Sequence, residues 1–452
     1  MYVEQANPIR QVAKTYNARV PNLLDLAYAI GATLTSPVWG LSLWRTGKWR
    51  TDWRGRYGHA KQLADHPGKT LLFNAVSVGE VNILRGLIAE LTERDPSLRI
   101  VVASTTNTGY QRAVEIYGPR YTVVRYPLDF SWAVSRFLGR VRPDAVATVE
   151  LELWPNFVEA CARRGIPLCV VNGRLSARSF RRYRRVRALI GPTFGRVAFA
   201  AVQTQDYAAR FEQLGAKDVR VVDTMKWDNA KIEDDVQGSA ELAAELGVDL
   251  TKPIVVAGST GPGEDRLLIE ELPEGVQLII APRKPEWFDA VMKACPGAVR
   301  LTSVRAERQD DPAASSVPTQ RSWGADDKRV FLIDTIGELR KAYALADVVV
   351  VGRSFLGLYG SDVMEPAGLG KPVIIGPHHS DFQDTVDAMR VAGGIIVTHD
   401  PGKAMRELLN DRDKARQIAR AGRAVIAQRQ GSTKRHADLI MAMLADHRRP
   451  EA

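Results

Sequence analysis

The stretch Thr70-Leu-Leu-Phe-Asn-Ala-Val-Ser-Val-Gly-Glu-Val-Asn-Ile-Leu-Arg-Gly-Leu-Ile-Ala-Glu-Leu91 changes its period in the middle. From Thr70 to Val76 nearly every side chain is apolar, as in a strand buried on both faces. From Val81 onward the apolar positions are Val81, Leu84, Leu87, Ile88 and Leu91, whose i, i+3, i+4 recurrence predicts one buried helix face. Strand, short turn, helix is the unit of a parallel sheet, and the rest of the chain repeats it.

Further short apolar runs are Arg99–Ser104, Tyr121–Tyr126, Asp144–Val149, Pro167–Asn172, Phe199–Gln203 and Val219–Asp223, separated by stretches with helical spacing. Lys226–Lys252 holds no strand candidate and several acids. A second set then runs through Pro253–Gly258, Val276–Ala281, Val299–Ser303, Arg329–Asp334, Asp347–Gly352, Pro372–Gly376 and Gly394–Thr398, followed by helical stretches from Met405, Lys414 and Thr433. The polar segment between Val304 and Lys328 reads as a mobile loop. The fold class is therefore α/β, with two Rossmann-like, doubly wound parallel-sheet domains and a cleft expected between them. The expected division is an amino-terminal segment 1–58, a first domain 59–225, a linker 226–252, a second domain 253–430 and a carboxy-terminal helix 431–452.

At 452 residues the chain exceeds one ordinary core, and 45% hydrophobic with 25% charged residues is a folded-protein composition. Cys161, Cys169 and Cys295 form no CxxC pair, and the seven histidines include no HxxxH pair, so neither a disulfide framework nor a protein-held metal is expected. The formal charge of +10 suits nucleic acid, anionic membrane or a phosphorylated substrate. Its excess lies in Arg45, Lys48, Arg50, Arg54 and Arg56 and in the run Arg178–Arg187. Outside the amino-terminal segment those cations are interleaved with only Phe180 and Tyr183, too few aromatics for a base-stacking platform, which argues against nucleic acid. The apolar stretch Leu26–Trp44 carries no charge but is interrupted by Gly31, Thr33, Ser36, Pro37 and Gly40. With Trp39, Trp44, Trp49 and Trp53 beside the cations, it reads as a membrane-associated helix at headgroup level rather than a clear span.

Ligands of open parallel sheets bind beyond the carboxyl ends of the strands, so chemistry is sought there. After the first strand stands Ser77-Val78-Gly79-Glu80. Ser-x-x-Glu is a capping box, and a glutamate at that place can equally act as a general base if burial raises its pKa. After the fourth strand comes Glu150-Leu-Glu152-Leu-Trp154-Pro155-Asn156, an acid pair followed by a proline suited to a first helical turn. Asn172-Gly173-Arg174-Leu175-Ser176 follows the fifth strand and offers an arginine fork to phosphate or carboxylate.

Taken with Thr105-Thr-Asn-Thr-Gly109 and Arg56-Tyr57-Gly58, these motifs resemble, in order and spacing, the transferases of 3-deoxy-D-manno-octulosonic acid (Kdo), glycosyltransferases of the GT-B fold. The resemblance runs from about Asn22 to about Met443. It implies inverting transfer of Kdo from CMP-Kdo to the lipid A precursor (lipid IVA), in lipopolysaccharide biosynthesis at the cytoplasmic face of a bacterial inner membrane. On that resemblance Glu80 is the base, and Glu150 and Glu152 are the acid pair of a Glu-x-Glu-Leu-Trp-Pro motif. Ser77, Arg174 and Lys226 line the acceptor side. In the second domain Ser259 and Thr260, Arg283, Gly337 and Glu338, and Glu365 are the candidate donor ligands. No cofactor or metal is implied, since the CMP-sugar is itself the substrate.

Three departures stand out. Gly173 replaces the family's alanine, and Arg353 stands where glycine is common. Tyr359-Gly-Ser-Asp-Val-Met364 replaces a Gly-Gly-His-Asn-Pro turn, which removes an imidazole and a carboxamide and adds the charge of Asp362. Two alternatives stay open on this account: another GT-B nucleotide-sugar enzyme, with a different donor or an epimerase, or a non-catalytic glycolipid- or nucleotide-binding paralogue. The oligomeric state is not encoded in any motif.

Overall fold

Strands covered by helices on both faces must be apolar in both directions, and the fourteen expected apolar runs each form a strand. In a computed structural model the described residues are 22–36 apart from 23, 32 and 34, then 51–310 and 329–446. The boundary between two compact units falls between Asp228 and Asn229, and again between Gln430 and Gly431.

The first unit holds β1 (Thr70–Asn74), β2 (Arg99–Ser104), β3 (Thr122–Arg125), β4 (Ala145–Val149), β5 (Leu168–Gly173), β6 (Ala200–Val202) and β7 (Val219–Val221), all parallel, in the order β3-β2-β1-β4-β5-β6-β7. The chain reverses direction across the sheet between β1 and β4, which creates a switch point there. One apolar layer packs Leu72, Val101, Val146 and Val170 under Phe137, Phe157 and Phe211. The other packs Leu71, Phe73, Ala147 and Val171 against Val81, Leu84 and Leu87 of α1 (Val78–Arg94).

The second unit holds β8 (Ile254–Thr260), β9 (Gln277–Pro282), β10 (Val299–Arg300), β11 (Arg329–Leu332), β12 (Val348–Val351), β13 (Val373–Ile375) and β14 (Ile396–Val397), in the order β10-β11-β9-β8-β12-β13-β14. Its switch point lies between β8 and β12. Val299–Ser303 is strand only as far as Arg300, because Leu301 is fully buried as the first residue of a helix, Leu301–Asp310. The expected loop from Val304 is thus helical at its start, and positions 311–328 lie outside the described residues. So do Trp39, Trp44, Trp49, Arg45, Lys48 and Arg50.

The helix Ser432–Asp446 belongs to the first unit, where Ala437, Ile440, Met443 and Leu444 join the layer over α1. Asp228 caps it from a distance, its carboxylate accepting from the Gly431 and Thr433 amides, each at 2.5 Å. His436, fully buried, accepts from the Asn172 amide at 2.9 Å at the end of β5.

Candidate functional site

Backbone strain is not spread evenly. Of the six described non-glycine residues with positive φ, five sit at carboxyl ends of strands: Glu150 after β4 (59°), Asn172 in β5 (52°), Asp223 after β7 (62°), Ser259 in β8 (55°) and Arg353 after β12 (58°). Such conformations each cost roughly 1–3 kcal/mol and persist where surrounding structure enforces them, commonly at functional sites. Glu150 lies at the first switch point, and Ser259 and Arg353 lie at the second.

At the β1/β4 switch point, Ser77 caps α1 (Val78–Arg94) and Glu80 completes the capping box. The Glu80 carboxylate accepts from the Val76 amide at 2.9 Å, the Ser77 amide at 3.2 Å and the Ser77 hydroxyl at 2.7 Å. The structural role weighed from the sequence is therefore present in full, and the carboxylate is turned back on its own helix start. It is also one member of an acidic cluster. Burial and the Glu80 charge push Glu150 above the usual carboxylate range, against the pull of Arg174 and Lys226. Burial raises Glu152 as well; the Trp154 indole, donating at 2.9 Å, opposes the rise, while Glu80 and Glu150 add to it. Three carboxylates and two cations expected from separate motifs thus meet at one place: Glu80, Glu150, Glu152, Arg174 and Lys226. Burial and mutual repulsion raise Glu150 and Glu152, and the two cations beside Glu150 oppose its rise.

The loop bearing the acid pair is held from below. Asn74 of β1 reaches Thr148 of β4 at 3.5 Å, and the Thr148 hydroxyl donates to the Glu152 carbonyl at 3.0 Å. Gly173 has a steric reason: a β-carbon there would lie 2.8 Å from Cγ1 of Val202 on β6, so the family's alanine does not fit this neighbour.

At the β8/β12 switch point, Thr260 is buried and its hydroxyl has no partner among the described residues. The Arg283 amide donates to the Thr260 carbonyl at 3.0 Å, which brings the exposed Arg283 side chain to the same strand end. Arg283, Glu365 and Asp362 all act on the buried Tyr343, whose phenol is raised chiefly by burial. Glu365 is raised by burial, pulled down by Arg340 and raised again by Asp362. Asp362 accepts from the Met364 amide at 2.9 Å, so it caps its own turn while remaining exposed. Glu338, next to the left-handed Gly337, is committed to Lys341 at 2.8 Å and Arg305 at 3.0 Å, and these ion pairs hold it low despite its burial.

Glu264 has a role that motif reading did not supply. It is fully buried, and its carboxylate accepts from the Gly261, Arg353, Ser354 and Phe355 amides at 2.5–2.9 Å, pinning the loop after β12 to the loop after β8. That is why Arg353 holds a left-handed conformation where glycine would be easier. Its one sequence signal was an acid at the helix start after Gly263.

Residues 51–229 match the family described as 3-Deoxy-D-manno-octulosonic-acid transferase (kdotransferase). A 3-deoxy-D-manno-octulosonic acid transferase of Haemophilus influenzae is 27% identical over 418 residues, 90% of this chain and 94% of that protein. One of Bordetella pertussis is 29% identical over 441 residues, 91% of this chain and 98% of that protein. Among solved structures, MurG of Acinetobacter baumannii aligns with a TM-score of 0.51 at 13% identity, over 83% of this chain and 100% of that one. At that identity the likeness speaks for the fold, the GT-B pairing of two doubly wound domains.

Proposed function

Because the chain belongs to the Kdo transferase family and is a glycosyltransferase, we propose that it transfers Kdo from CMP-Kdo to the lipid A precursor with inversion. The observation that most supports this reading is the assembly of Glu80, Glu150, Glu152, Arg174 and Lys226 at one switch point. Glu80, fixed by its cap donors, takes the proton of the acceptor hydroxyl as the oxygen attacks the anomeric carbon. Glu150 and Glu152 lie beside Glu80, and Arg174 and Lys226 meet the phosphate of the glycolipid. In the second unit the Thr260 hydroxyl, Ser259 and Arg283 hold the cytidylate phosphate and stabilise it on departure, and Glu365 accepts from the ribose hydroxyls.

We place the reaction at the cytoplasmic face of the inner membrane. Among the described residues no helix is long and apolar enough to cross a membrane. Surface attachment draws support from exposed Leu26 and Ile30 and from the helix Ala177–Arg185, which carries five arginines and buries none of its residues.

The test is Glu80→Gln. Glutamine also completes a capping box, so folding and CMP binding persist while the base is lost, and transfer, read as the mass shift of the lipid, falls by about 10²–10⁴-fold. Undiminished turnover would reduce Glu80 to its cap. The altered turn at 359–364 favours one second reading, a paralogue that binds nucleotide without transfer; absence of any lipid mass shift with the wild-type protein selects it.

A further inference from the structure

The helix that carries the acid-pair motif, α2 (Pro155–Arg163), begins at Trp154 without a side-chain cap of its own. Its orphan amides are met by a residue from elsewhere. Asp129 accepts from the Asn156 amide at 3.0 Å and the Phe157 amide at 2.9 Å. The same carboxyl accepts from the Tyr28 hydroxyl at 3.0 Å, and Tyr28 belongs to the amino-terminal helical residues between 24 and 36.

A second connection runs parallel to the first. The Asn156 carboxamide accepts from Asn22 at 2.7 Å and donates to Asp25 at 3.0 Å and to the Asp129 carbonyl. Asp25 in turn accepts from the Ser131 amide at 2.8 Å and from the Ser131 hydroxyl. Asp25, Asp129, Ser131 and Asn156 are all buried, and both the amide group and the oxygen of the Asn156 side chain are engaged. Two buried carboxyls this close are costly, and burial raises Asp129 to about 7. A surface anchor needs no such network. Leu26 and Ile30 of the same helix remain exposed, so its buried polar face serves something other than membrane contact.

We infer that Asp25, Asp129 and Asn156 form a strut through which the amino-terminal helix holds the Glu150–Glu152 turn in register, and that Asp129 is a positioning residue for transfer. The inference rests on the reaction proposed above for its kinetic consequence, and on geometry alone for the strut. The two reporters on the helix side are Tyr28 and Asn22, whose replacement leaves the motif and its cap residue untouched.

The experiment is Tyr28→Phe combined with Asn22→Ala in the full chain, assayed with CMP-Kdo and detergent-dispersed lipid A precursor so that membrane recruitment is not limiting. Amide exchange at Asn156 and Phe157 is expected to quicken at least about fivefold, as for a local opening. The kcat is expected to fall about fivefold with KM for both substrates within about twofold, the mark of lost alignment rather than lost binding. Unchanged exchange across 150–157 overturns the strut, as does a rise in KM with kcat intact, which would leave the helix as an anchor only. If the wild-type protein shows no transfer, the reaction assignment fails, and the exchange measurement still decides the strut.

Discussion

Asp362 shows how a single side chain bears on the proposed donor site. Its carboxylate caps the turn before Met364, yet its charge reaches both Glu365 and Tyr343. An anionic nucleotide-sugar held as proposed would feel this extra charge, and at separations of several ångströms near the surface one charge contributes on the order of 1 kcal/mol. Asp362→Asn is therefore expected to tighten CMP binding roughly two- to fivefold at low salt and less at high salt, because screening already weakens the repulsion. Titration calorimetry at two ionic strengths checks this. Unaltered affinity at both would place the charge away from the nucleotide. Glu80 illustrates the opposite case, since the observed cap and the proposed base chemistry draw on the same carboxylate and the glutamine variant separates them.

Elements carry the next constraint. β5 and β6 meet with an irregular register between Val170 and Gly173, and Val202 occupies the space a β-carbon at Gly173 would need. Gly173→Ala is expected to destabilise the first unit by about 1–3 kcal/mol through overpacking. Val202→Ala in the same chain should restore most of that loss by vacating the space, as a thermal melt of the four variants would read. Additive losses instead of compensation would mean the two side chains do not meet. The expected strand Val299–Ser303 is cut short at Arg300 for a related reason: its apolar run cannot be told by period from the first turn of a buried helix, and Leu301 packs as helix.

Across the whole molecule, the carboxy-terminal helix returns to the first unit, and His436 joins it to the end of β5. Burial holds His436 down to about 4. A histidine lowered in the folded state is neutral there while the unfolded chain takes up a proton near 6.5. Its contribution is therefore complete above about 6.5 and is lost as pH falls toward 4, a penalty on the order of 3 kcal/mol. Asp129 works the other way: raised to about 7, it favours the folded state at low pH and loses that contribution as pH rises through 7. Denaturant titrations at pH 7 and pH 5 are expected to show His436→Gln losing less stability on acidification than the wild type. Equal losses would remove His436 as the acid-sensitive contact.

The alternation of apolar runs sufficed for the α/β class, for nearly every strand and for the candidate acids Glu80, Glu150 and Glu152, because buried parallel strands and helix faces write their periods locally. Their convergence was legible only through the rule that strand ends meet at a switch point. Nothing local announced that Glu264 would pin two loops, that Asp129 would cap a helix 26 residues downstream at Pro155, or that Asp228 and His436 would bind the last helix to the first sheet. Apart from the Gly261 bond to Glu264, those contacts join residues from 27 to 264 positions apart. A hydrogen bond of that reach has no periodicity in the chain, and it exists only once packing has brought a buried donor to a buried acceptor that would otherwise go unpaired.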